Sequence, residues 1–172
     1  MAFQFINKIA KGLSFLLTIV MFTSCESVND ERIPPVAVYI DLSGQGTWDT
    51  YGVHGYGQHT RFIKQERIPA NFPYTALSYT GFGGVLLISG RSGDDYNSPL
   101  AYDLACPVEA KNDVRLSFDN QTFEAYCPKC HSRFDICENN GAPISGEAKS
   151  RNYGLKRYKV NPHQMGGYTI TH

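Results

Sequence analysis

The residues able to do chemistry are concentrated in two short stretches, Cys106-Pro107-Val108 and, 21 positions further on, Cys127-Pro128-Lys129-Cys130-His131-Ser132. Thiolates spaced this way hold a metal or pair as disulfides. Cys127-Pro128-Lys129-Cys130 is a compact metal knuckle, and Cys106 with His131 or Cys137 can complete a four-coordinate zinc site worth about 10 kcal/mol or more to folding. Disulfides are the competing use: in an exported chain Cys106, Cys127, Cys130 and Cys137 can pair completely, in any of three connectivities, and a bridge between the two loops contributes roughly 3 kcal/mol. His54 and His59 have no matching carboxylate or cysteine spacing, so they read as parts of a surface loop pinned by aromatics. No nucleophile-and-base pair and no second cofactor motif is present, so there is no candidate catalytic residue and an independent enzyme is not expected.

The N-terminus sets the compartment. Lys8 and Lys11 precede an apolar stretch from Leu13 to Phe22 that ends in Thr23-Ser24-Cys25. The stretch is too short to span a bilayer comfortably and ends in small residues, the layout of a secretory signal. Phe22-Thr23-Ser24-Cys25 resembles a loose bacterial lipobox, which implies a signal peptide over 1–24, a lipidated Cys25 and attachment to a membrane of the bacterial cell envelope, the outer membrane or cell surface included. Glu26-Ser27-Val28-Asn29-Asp30-Glu31 and Pro34-Pro35 follow, so 25–35 reads as a solvated tether.

Removing 1–24 takes away two lysines and leaves 14 basic against 16 acidic residues, a balance that gives no reason to expect nucleic-acid binding. The 148 residues that remain suit one domain, over 36–172. With 11 Tyr, 10 Phe and 16 Gly and no long helical periodicity after the signal, the expected fold is all-β. Val36 to Ile40 reads as a first strand, and Gly44 to Tyr56 as a loop carrying Trp48. Val85-Leu86-Leu87-Ile88 suits a buried strand, Ser89 to Asn97 a polar turn, and Ala101 to Ala105 a strand leading into Cys106. Val114-Leu116-Phe118 and Phe123-Ala125 alternate about Asp119-Asn120 as a hairpin that returns the chain to Cys127. Phe134 to Ile136, Leu155 to Val160 and Tyr168 to Ile170 read as further strands.

From about Gly83 to Thr171 the chain resembles the Rieske family of [2Fe–2S] domains. Cys127-Pro128, Ser132 and Phe134 match one family box. Gly141, Pro143, Gly146 and Ala148 match a second, with Glu147 where Pro is usual, and Leu155, Tyr158 and Val160 match the last strand. The resemblance implies an antiparallel β-sandwich with a small cluster-binding subdomain, about 100–148, formed by the two cysteine loops. It also implies that Cys106 and Cys127 ligate one iron, while Val108 and Cys130 stand where the two histidine ligands of the other iron belong. Val108 cannot ligate. His131 is the available substitute, although it occupies the usual Gly position.

A cluster retained on Cys106, Cys127, Cys130 and His131 would sit at lower potential than a His-ligated one, because thiolate adds negative charge. The protein would then pass single electrons to a redox partner. The alternative is a cofactor-free, disulfide-stapled or zinc-stabilised interaction module on the same scaffold.

Overall fold

The computed structural model describes residues 27–172. The proposed signal peptide and Cys25 lie outside the described residues. The domain is all-β, as the composition and alternation predict. Its larger sheet is antiparallel throughout, built from β1 (Val38–Ser43), β2 (His59–Phe62), β3 (Tyr79–Thr80), β4 (Val85–Ser92), β5 (Asp95–Asp103), β10 (Arg157–Pro162) and β11 (Gly167–Thr171) in the order β2-β4-β5-β10-β11-β1-β3. Its two edges approach each other: the Lys64 N–H, just past β2, donates to Thr80 Oγ1 of β3 at 3.4 Å. The smaller sheet is a meander of β6 (Ser117–Asp119), β7 (Glu124–Tyr126), β8 (Arg133–Asp135) and β9 (Ala142–Ser145).

β4 explains its own apolar run. Successive side chains of a strand point to opposite faces, so a strand buried on both sides needs no polar alternation. Val85 and Leu87 face a core with Ile40, Leu42, Phe62 and Ile170 inside the larger sheet. Leu86 and Ile88 face a second core with Tyr102, Leu104, Phe134 and Ile136, shared with the meander. Cys106 and Cys127 belong to that second core, so the two cysteine loops are seated where the sheets meet.

Three sequence expectations change in detail. Residues 45–51 of the expected loop form helix α1 (Gln45–Tyr51), about two turns held by buried Trp48, whose ring lies 4.6 Å from that of Tyr168. So short a helix shows no periodicity to read and depends on its tertiary anchor. The expected turn Ser89–Asn97 is mostly strand: the β4–β5 ladder continues to Ser92 and Asp95 and reverses at Gly93, whose φ of 63° suits a tight turn. Ladder pairing persists past the last apolar residue because its hydrogen bonds are made by backbone.

Residues 27–33, expected to be solvated tether, instead lie against the domain. Asn29 forms a parallel bridge with Tyr153, Asn152 Nδ2 donates to the Ser27 carbonyl at 2.9 Å, and Ile33 is 1% exposed. Polar composition concealed this, since the contacts are mostly hydrogen bonds to the main chain of 27–33, with a single buried isoleucine. Among the described residues no helix is long and apolar enough to cross a membrane.

Candidate metal centre

The first cysteine loop leaves the end of β5, and a buried carboxylate fixes its exit. Asp103, 0% exposed, accepts N–H groups from Phe82 (2.9 Å), Gly83 (3.0 Å) and Ala105 (2.7 Å) and the hydroxyl of Tyr158 (2.5 Å). Burial raises its pKa against the pull of these donors. The chain passes so closely here that a Cβ on Gly83 would stand 2.5 Å from the Ala105 nitrogen. Asp103 thus ties the Gly83-Gly84 turn, β10 and the approach to Cys106 into one unit. The exit is completed by Cys106 N–H to the Val114 carbonyl (3.0 Å) and Leu116 N–H to the Leu104 carbonyl (2.8 Å).

The second loop joins β7 to β8. Cys127 N–H donates to the Ser132 carbonyl at 2.9 Å, which closes its base. Ser132 is fully buried; its Oγ accepts the Ala148 N–H at 3.0 Å and the Cys130 thiol at 3.3 Å. Ala148 lies on α2 (Gly146–Ser150), so Ser132 fastens this short helix to the loop. Only glycine fits at 146: its φ is 75°, and a Cβ there would stand 2.8 Å from Ser132 Cα.

The loops bring three thiols together. Cys106, Cys127 and Cys130 Sγ lie within 4.8 Å of one another, with Cys106 and Cys130 3.6 Å apart. Cys106 and Cys127 are fully buried and Cys130 half-buried, and all are free thiols. Burial pushes the Cys106 thiol well above its ordinary pKa, opposed by the N–H groups of Glu109 and Val108. At Cys130 burial also acts upward but is outweighed by hydrogen bonding with Ser132, Cys106 and Cys127, and its pKa is lowered. Three buried or half-buried thiols whose sulfurs lie within 4.8 Å of one another can bind a soft or borderline cation.

Of the residues singled out from sequence, Cys106, Cys127 and Cys130 form this group, whereas His131 and Cys137 stand outside it. His131 is exposed and has φ 58°, the left-handed backbone that glycine favours. Cys137 is buried beneath β4, its Sγ 4.0 Å from the Ser89 carbonyl, and burial pushes its thiol up to about 12. The complete pairing of four cysteines therefore lacks its fourth member. Val108 packs against the core beside the thiols. His54 and His59 lie on aromatic rings: His54 meets Trp48 edge-on, and His59 lies 4.0 Å from Phe118 with its pKa lowered by burial.

Sequence reasoning missed Asp103 altogether, because an acid at a strand end looks like any surface acid. It noted Ser132 and Tyr158 as motif positions without their roles of anchoring α2 and donating to Asp103. The only forward signal was the Gly83-Gly84 pair, which marks a place where backbone must pass closely. Comparison with protein-family models and with curated proteins found no match for this chain.

Proposed function

We propose that this chain is a Rieske-like lipoprotein domain of the bacterial cell envelope whose paired cysteine loops bind one thiolate-held metal ion as a structural staple. In this reading it is a metal-stabilised interaction module rather than an independent enzyme. The supporting observation is the convergence of the Cys106, Cys127 and Cys130 sulfurs within 4.8 Å. With metal–sulfur bonds of about 2.3 Å, two thiolates on one tetrahedral ion stand about 3.8 Å apart. The 3.6 Å between Cys106 and Cys130 fits that spacing.

A bridged two-iron cluster does not fit this ligand set. Terminal ligands on its two irons point away from each other and are separated by the iron–iron vector as well, whereas all three thiols here face one point. Val108 offers no donor at all. Zinc suits a closed, thiolate-rich site seated on a core, where it would supply folding energy and hold the two loops together.

Mature protein purified without oxygen should contain close to one metal ion per chain, zinc foremost, and lose it together with stability when chelated. Two irons with acid-labile sulfide would overturn this in favour of an electron carrier. Envelope attachment should be lost in Cys25→Ala; retention would refute lipidation. A second reading rests on the same 3.6 Å contact: under oxidising conditions Cys106 and Cys130 are the pair placed to form an inter-loop disulfide. A metal-free sample with two free thiols rather than four among Cys106, Cys127, Cys130 and Cys137 would select it.

A further inference from the structure

The two cysteine loops are built alike. Each opens with Cys-Pro and closes on the residue four positions after the cysteine: Ala110 N–H donates to the Cys106 carbonyl at 2.8 Å, and His131 N–H to the Cys127 carbonyl at 3.0 Å. Both closing residues have left-handed backbone, φ 48° at Ala110 and 58° at His131. In the second loop this turn presents the residue three after the cysteine, Cys130, to the thiol group. The residue at that position in the first loop is Glu109.

Glu109 also has the environment of a ligand rather than of a surface acid. Its side chain is only 15% exposed, and its one ionic partner is Lys129 Nζ at 2.5 Å, from the facing loop. Three thiolates leave one position open on a tetrahedral ion, and a carboxylate oxygen is an accepted fourth donor at about 2.0–2.2 Å. Resting on the metal reading above, we propose that Glu109 completes the centre as its fourth ligand, giving a Cys3Glu site for a zinc-class divalent cation. In the metal-free chain the Glu109 carboxylate is paired with Lys129 and lies outside the three-thiol group. On binding, the carboxylate exchanges Lys129 for the cation.

The test is titration of the mature protein with Co2+, followed by its absorption spectrum, and with Zn2+ against a competing chelator. Wild type should bind one Co2+ tetrahedrally. Glu109→Gln should weaken binding about 100-fold or more, at or above the upper end of what losing an outer-sphere partner costs, and should shift the ligand-field bands. Glu109→Cys should restore tight binding with thiolate charge-transfer intensity raised by about one third, four thiolates replacing three. Lys129→Met should bind as tightly as wild type or tighter, and His131→Ala should be unchanged. Wild-type spectrum and affinity in Glu109→Gln, or loss of binding in His131→Ala, would overturn the Glu109 assignment while leaving a metal centre standing. Failure of wild type itself to bind Co2+ or Zn2+ would remove the metal reading as well.

Discussion

Asp103→Asn tests whether one buried carboxylate positions the first cysteine loop. The aspartate presents two acceptor oxygens: Oδ1 takes N–H groups from Gly83 and Ala105, and Oδ2 takes those of Phe82 and Gly83 and the Tyr158 hydroxyl. Asparagine keeps the shape but turns one oxygen into an NH2 donor facing other donors. Whichever way it is oriented, one or two buried donors lose their acceptor, at about 1–3 kcal/mol each, so the expected loss is about 2–4 kcal/mol. For a domain of this size that lowers Tm by roughly 5–15 °C. Thermal unfolding followed by circular dichroism, with and without bound metal, measures it. Tyr158→Phe removes only one donor and should cost about 1 kcal/mol, and the double variant should lose less than the sum because both changes act on one network. Metal stoichiometry should be retained, since Asp103 positions the loop without ligating. A Tm within 2 °C of wild type for Asp103→Asn would refute the reasoning.

Four further outcomes follow from the same geometry. Gly146→Ala forces a Cβ against Ser132 at φ 75° and should destabilise by about 2–3 kcal/mol and weaken metal binding, read by denaturant unfolding and Zn2+ competition. His131→Gly relieves a left-handed residue and should stabilise by about 0.5–1 kcal/mol with metal binding intact; loss of the metal would show that His131 is a ligand. Arg133→Ala removes ion pairs to Asp119 (2.7 Å) and Glu124 (2.6 Å) that remain solvent-screened, so chemical denaturation should show only a small loss of stability, despite the short distances. The folded state holds the Cys137 proton to about pH 12 whereas the unfolded chain releases it near 9, so folded protein binds more protons over that window and stability falls as pH rises through it. In unfolding measured from pH 8 to 11, Cys137→Ala should show a shallower decline, and an unchanged slope would refute the assignment.

How far the site could be read from sequence differs residue by residue. The two cysteine clusters marked two loops, and the alternation of Val114–Phe118 and Phe123–Ala125 returned one to the other, because strand period and hairpin closure are local properties. Which thiols share a point is not local. Cys137 lies seven residues beyond Cys130 in the chain yet faces the Ser89 carbonyl, because Phe134 and Ile136 carry the chain into the core beneath β4. His131 is adjacent to a ligand-type cysteine yet points to solvent, because the turn that serves Cys130 needs a left-handed residue next. The docking of residues 27–33 was hidden for a similar reason: backbone hydrogen bonds to Asn152 and Gly154 leave no trace in composition.

The sequence by itself determined an all-β chain and two cysteine loops on its strands, since these follow from period, turn chemistry and residue type. Only the tertiary structure decided that the Cys106, Cys127 and Cys130 sulfurs come together, that Asp103 and Ser132 hold their loops, and that Glu109 takes the place in its turn that Cys130 takes in the other. Convergence of donors depends on how two sheets pack and on which backbone groups need partners at their junction, and those requirements join residues far apart in the chain.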